Sequence, residues 1–226
     1  MAKGWPPPAM HFAQINEKDG FFITARAPDP AFTWDKLAAA DILVDHGGQP
    51  LAMFKYACHK KGIDFKAVQA VNVPSDRMDA AYRSGQAHYI HQQGPAPQQL
   101  AHDGVGHIVA SVGDAIGPVA FSSLAATRDW LKTDAARRFM RAYRKARNWI
   151  ITTPAVEIAA AEAGFFPGIH SDVLASTIAA YQKLGNWTPH VEVTRAAFET
   201  ALDVFQHSGG VTRRHRYEDI IAPPPA

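Results

Sequence analysis

The sequence predicts an α/β protein. Three observations carry that reading. Between about Asn16 and Thr127, short apolar runs alternate with helical patterns at close spacing. That alternation marks βαβ units and a largely parallel sheet. After Thr127 the pattern is helical only. The length, 226 residues, is enough to bury a core in one large domain or two small lobes.

The elements follow in chain order. MAKGWPPPAM holds three successive prolines, which forbid a helix and predict an extended lead-in. FFITARA (Phe21 to Ala27) is strand-like, and PDPAFTWDKL is a turn with a short helical piece. DILVD (Asp41 to Asp45) is a strand, and His46-Gly47-Gly48 is the loop after it. A helix is expected from about Pro50 to Lys61. Pro50 suits its first turn, Gly62 suits the left-handed position after its end, and Leu51, Phe54 and Cys58 recur at helical spacing. QAVNV is the next strand, and SDRMDAAYRS is a helix with Ser75 as N-cap and Gly85 as its stop. AHYIHQ (Ala87 to Gln92) is a strand, and PAPQQLAHD is a short helix ending at Gly104. GHIVASV is a strand, GDAIGP a loop, and VAFSSLAAT (Val119 to Thr127) a long strand. Four helices follow, in DAARRFMRAYRKARNWIITT, AVEIAAAEAG, SDVLASTIAAYQKLG and TRAAFETALDVFQHSG, with one more turn at RYEDII.

Composition narrows the function. A formal net charge of +2 gives no global case for nucleic-acid or membrane binding. Cys58 is the only cysteine, which excludes an internal disulfide and a cysteine-only metal site. It reads as a small core residue. No run approaches the roughly 18 apolar residues of a membrane span. The first residues have no apolar stretch of the signal-peptide kind, so the chain as written is expected in the cytoplasm. The eleven histidines form no HxH, HExxH or Cys–His cluster, so no metal is expected. There is no GxSxG elbow, no GxGxxG and no GxxxxGK[ST], so neither a catalytic residue nor a cofactor is assigned. The basic residues from Arg137 to Arg147 share their helix with Phe139, Met140 and Tyr143, which fits a packed helix with a solvated charged face.

In an open α/β sheet, ligands bind where loops leave the carboxyl ends of strands. Three loops qualify: His46 to Gln49, His91 to Gly94, and Asp114 to Pro118. Gly47 and Gly48 let the backbone turn sharply and approach a bound group. The following helix presents unpaired N–H groups and a partial positive charge, which suit a carboxylate, sulfonate or phosphate. A tight strand-to-helix turn without a ligand has the same spacing. In HYIHQQGP, polar side chains crowd a strand that should be apolar if buried on both faces. They need partners, and either a ligand or water at a loop mouth supplies them. His88 and His91 are three apart on a strand and point to opposite faces, so they are no bidentate pair.

Four segments, taken together, resemble one family. They are PDPAFTWDKLAAADILVDHGGQP, DRMDAAYRSGQAHYIHQQGPAP, VAFSSLAATRDWL and FFPGIHSDVLASTIAAYQKLGNWTPH, with Trp187 and Pro189 fitting the last pattern well. The chain resembles the NMT1/THI5-like solute-binding proteins of ABC transporters, which include alkanesulfonate, nitrate and thiamine-pyrimidine binders. The resemblance implies a periplasmic-binding-protein-like fold of the second type, with two α/β lobes closing on a small molecule in the interlobe cleft. It implies that residues 1–30 are the remainder of the first lobe with a crossing strand. Residues 31–118 would be the second lobe, and 119–226 the return strand and helices packing on the first lobe. Family members normally begin with a longer first-lobe segment, and exported ones with a signal peptide, so an N-terminally truncated first lobe is expected here. The family's acidic position is His88 and its strand-end "weP" is Gln93-Gly94-Pro95, which disfavours a cationic ligand.

The resulting expectation is the solute-binding component of an ABC-type importer. It would bind a small anionic or heteroaromatic molecule and work with a transporter permease in the periplasm. The expected ligand-binding set is Gly47, Gly48, Gln49, His91, Gln92, Gln93, Gly117 and Ser122. A thiamine-pyrimidine synthase-like enzyme is the alternative, but its cysteine-rich motif is missing. A cytoplasmic ligand-sensing domain is the other.

Overall fold

The structure, a computed structural model, describes residues 7–45 and 47–226. Most of the extended lead-in and His46 lie outside the described residues. Strands β1 (Ala9–Asn16) and β2 (Phe21–Ala25) come first, followed by β3 (Asp41–Asp45) and helix α1 (Gly48–Lys60). Then come β4 (Gln69–Val73), α2 (Met78–Arg83), β5 (Tyr89–Gln93) and α3 (Ala96–His102). Next are β6 (His107–Ser111), α4 (Val112–Ile116) and β7 (Ser122–Thr127). Five helices close the chain: α5 (Asp134–Thr152), α6 (Ala155–Glu162), α7 (Ser171–Leu184), α8 (Arg195–His207) and α9 (Tyr217–Ile220).

Five strands form one sheet in the order β4-β3-β5-β2-β6. Strand β3 runs parallel to β4 and β5, whereas β2 runs antiparallel to both its neighbours, β5 and β6. The sheet is therefore mixed, where the alternating pattern predicts a largely parallel one. The physical reason is local. Strand β2 arrives from β1, a strand of the other sheet, and no helical crossover links it directly to β5 or β6, the neighbours it meets antiparallel.

The near-continuous apolar run of β3 is explained by burial on both faces. Ile42 and Val44 point to one side, against Met53, Phe54, Ala57 and Cys58 of α1. Leu43 points to the other, against Met78 and Tyr82 of α2 and Leu100 of α3. The Cys58 thiol is fully buried in the first cluster, where burial pushes its pKa up to about 12, so it packs as a small apolar group.

The second sheet is a two-stranded antiparallel ribbon of β1 and β7, with Met10 opposite Ala126 and Asn16 opposite Ser122. Phe12 and Ala13 of β1 pack on Met140 of α5 and on Val191. The Gln14 carbonyl anchors α5: it accepts from the Tyr143 hydroxyl at 2.7 Å and from the Arg147 guanidinium.

Several local expectations change. Strand β1 overlaps the expected lead-in only at Ala9 and Met10, and the rest of it falls where no element is expected. Phe21–Ala25 lies inside the five-stranded sheet, and β1 is the strand that meets β7. Strand β7 starts at Ser122, not Val119. The GDAIGP loop is largely helix α4, because the Ser111 hydroxyl caps it by accepting the Asp114 N–H at 3.2 Å.

Gly113, in α4, packs directly on the turn between β1 and β2. A Cβ there would sit 2.4 Å from the Asp19 carbonyl oxygen, a backbone atom that cannot swing aside. Gly113→Ala is expected to destabilise the fold by about 1–3 kcal/mol, read as a lower urea midpoint at unchanged m-value. An unaltered midpoint would show that this contact is not tight.

Candidate functional site

The start of α1 is open. Gly47 is its N-cap in extended conformation, no side chain caps the helix, and Gly48 has a left-handed φ of 65°. A Cβ on Gly47 would meet nothing within 4 Å. The first N–H groups of the helix thus lack the side-chain oxygen that usually satisfies one of them. Gln49 turns inward, and its amide donates to the Phe121 carbonyl at 2.7 Å, tying α1 to the segment that leads into β7.

Beside this helix start lies a cavity of about 390 Å³. One wall is Gly48, Gln49, Leu51 and Lys55 of α1; the other is Phe205 of α8 with Ser208 and Gly210 beyond its end. Gly210 also borders a neighbouring cavity of about 400 Å³, lined further by Thr212, Arg213 and His215. An uncapped helix N-terminus, Lys55 and Arg213 make this region electropositive. It can hold a small anion, and among the described residues no carboxylate lines either cavity.

The structure brings Gly48 and Gln49 to the cavity wall, and Gly47 precedes them as the N-cap of α1. The other five expected residues do not line it. His91 is 1% exposed, stacked between the Phe21 ring at 4.7 Å and the Phe54 ring at 4.9 Å. Desolvation drives its pKa down to about 3, against a smaller opposing pull from Asp45. The imidazole is a neutral core ring that supports α1 from beneath, not a group at a loop mouth.

Gln92 is buried on the other face of the strand, and Gln93 ends β5 under Tyr181 of α7. Gly117, with φ 87°, terminates α4. Ser122 opens β7 opposite Asn16, and its hydroxyl is buried without a hydrogen-bond partner among the described residues. Sequence reasoning missed the second wall, Phe205 to Gly210, because it lies far along the chain and carries no local signal. Among the described residues, no three His, Cys, Asp or Glu side chains converge as a metal site.

Asp19 is the other unexpected polar group. It is fully buried in the turn between β1 and β2. Its Oδ1 accepts the Phe21 N–H at 2.6 Å, while Oδ2 has no partner among the described residues. Burial pushes its pKa up to about 7, and the Phe21 hydrogen bond only partly opposes this.

A mixed sheet with helices on both faces, an antiparallel ribbon leading in and out, and a cavity where α1 meets the C-terminal helices together define a periplasmic-binding-protein-like fold. The profile of the NMT1-like family matches residues 33–164, more than half of the chain, and the chain belongs to that family.

YtlA of Bacillus subtilis (strain 168), named as a candidate binding protein, is 28% identical over 225 residues, covering 97% of this chain and 67% of its own length. The periplasmic aliphatic sulphonate binding protein SsuA from Escherichia coli superposes with a TM-score of 0.71 at 16% identity, over 96% of this chain and 70% of its own. The alkanesulfonate-binding protein SsuA from Xanthomonas axonopodis pv. citri, bound to MOPS, gives 0.68 at 14% identity, over 96% and 74%. At these identities the likeness shows the fold. Each relative carries further chain with no counterpart here.

The two buried titratable groups set opposite pH dependences. The Asp19 value lies above its ordinary 3.8, so its stabilising contribution is full below about 3.8 and is lost as pH rises through about 7. The His91 value lies below its ordinary 6.5, so stability is full above about 6.5 and falls as pH drops toward 3. The two windows overlap and their slopes oppose each other, so Asp19→Asn is expected to make stability rise more steeply with pH across the weakly acid range, and His91→Phe to make it fall there. Urea midpoints across the pH range test both, and unchanged profiles would contradict the burial.

Proposed function

We propose that this chain is the solute-binding component of an ABC-type importer, holding a small anionic or heteroaromatic organic molecule at the start of α1. The observation that carries the reading is the cavity itself. It joins an uncapped helix N-terminus on the five-stranded-sheet side to the end of α8 on the C-terminal side. Family membership supports it, as do two relatives named for sulfonates, one of them bound to a sulfonate buffer molecule.

The proposed recognition is simple. Backbone N–H groups at Gly48 and Gln49 point at an anionic oxygen, and the helix dipole favours its charge. Gly47 leaves room for the ligand because it has no Cβ. Lys55 adds positive charge from the next turns of α1. The Gln49 amide is spent on Phe121, so it fixes the loop and leaves recognition to the backbone. His91 and Phe54 hold the helix at a fixed height above the sheet.

A ligand touching both walls favours the conformer in which they approach each other. That closed form is what a permease would recognise, on the outer side of the cytoplasmic membrane. No covalent step is required, and binding is the whole activity.

The test is calorimetric titration with methanesulfonate, MOPS, nitrate and benzoate, against wild type and Gly47→Asp. Aspartate is a favoured N-cap and the site has room for it, so the variant keeps its thermal midpoint or gains. Its carboxylate occupies the anion position. One-site binding of one anion class to wild type, weakened at least about tenfold in the variant, is expected. Equal affinity in both proteins would remove the site from α1, and no heat with any anion would overturn the ligand class.

A further inference from the structure

A surface helix normally carries polar residues outward. Helix α6 does not. Its inner residues, Ile158 and Ala159, are buried against Leu174 and Ile178 of α7. Its outer residues are also mainly apolar: Val156 is 66% exposed and Ala160 and Ala161 are exposed, and the helix's two charges are carboxylates, Glu157 exposed and Glu162 half-buried. The turn that follows ends in Phe165, 81% exposed, and Phe166, 40% exposed. Four of the seven exposed large apolar side chains among the described residues, Trp149, Val156, Phe165 and Phe166, fall in this one stretch.

The preceding helix supplies charge. Arg138, Arg141, Lys145 and Trp149 of α5 are spaced three and four residues apart, so they form one stripe, and all are exposed. Arg137 pairs with Asp134, but the three cations of the stripe have no ion pair among the described residues. The stripe ends at Trp149, and α6 begins just beyond Pro154.

We propose that α6 and the Phe165–Phe166 turn dock on an anionic membrane surface, with the α5 stripe facing lipid phosphates. Charge complementarity selects this occupant. A solvent-facing basic stripe and, next in the chain, an exposed apolar helix with an aromatic turn are the two features that favour an anionic bilayer interface. Trp149 suits the headgroup level. Helix α6 has eight residues, about 12 Å, so it lies on a membrane and cannot cross one. Docking would hold the solute-binding chain at the surface where an importer sits, but it does not depend on which solute is bound.

Co-sedimentation of the purified chain with vesicles tests this. Wild type is expected to pellet with mixed phosphatidylglycerol–phosphatidylcholine vesicles and not with phosphatidylcholine alone, and to be released by salt. Phe165→Ser/Phe166→Ser and Arg138→Glu/Arg141→Glu/Lys145→Glu should each cut the bound fraction at least about fivefold while keeping the wild-type thermal midpoint. Failure to pellet with anionic vesicles at low salt overturns the proposal. So does equal pelleting of all three proteins, or a concentration-dependent dimer that the phenylalanine variant dissolves while vesicle binding persists.

Discussion

The structure depends on one strand pairing against the grain. Strand β2 lies between β5 and β6 and bonds to both in the opposite sense. Without it, the sheet would be split between β5 and β6, leaving two unpaired edges. Its side chains also bind the layers: Ile23 joins the cluster under α1, and Phe22 stacks on Tyr181 of α7 at 6.0 Å. The turn that delivers β2 is tightly built. Asp19 bonds back to Phe21, and Gly113 sits against its carbonyl with no room for a methyl group. The chain enters the five-stranded sheet at β2 and leaves it through β6 and α4, and these two passages touch at Asp19 and Gly113.

The cavity is positioned by a second constraint, the stack of Phe21, His91 and Phe54. A strand ring, an imidazole and a helix ring are layered at close spacing. That fixes α1 over β5 and aims its N-terminus at Phe205 and Gly210. Burying an imidazole with no hydrogen-bond partner among the described residues costs free energy. The cost is limited because the ring stays neutral and fits where an aromatic side chain of its size is needed. The same helix that closes the core starts, without a side-chain cap, at the cavity wall.

Much of the fold was legible because it rests on local rules. The strand at DILVD, the helix stopping before Gly62, and the four long helices all follow from period and punctuation. What was not legible depended on distant partners. Strand β1 is hidden by the neighbouring prolines and by polar Gln14 and Asn16, whose partners are Ser122 and the C-terminal part of the chain. Helix α4 is five residues with a glycine inside, too short for a periodic signal. At the candidate site, the two glycines mark where α1 starts, and Gly48 lies on the cavity wall. His91 misled, because a histidine at a strand end looks solvated until Phe21 and Phe54 are known to flank it. The wall at Phe205–Gly210 has no local signature at all, since only folding brings it to α1.

The central claim is that the open N-terminus of α1, facing the end of α8, is where a small anion binds. Backbone amide shifts in a two-dimensional ¹H–¹⁵N NMR titration with a small sulfonate test it most directly, because they report each N–H separately. The largest shifts are expected at Gly48, Gln49 and Leu51, with a second group at Ser208 and Gly210. Shifts concentrated at Asp19, Gln93 and Tyr181, with α1 unmoved, would contradict the claim and place the solute under α7 instead.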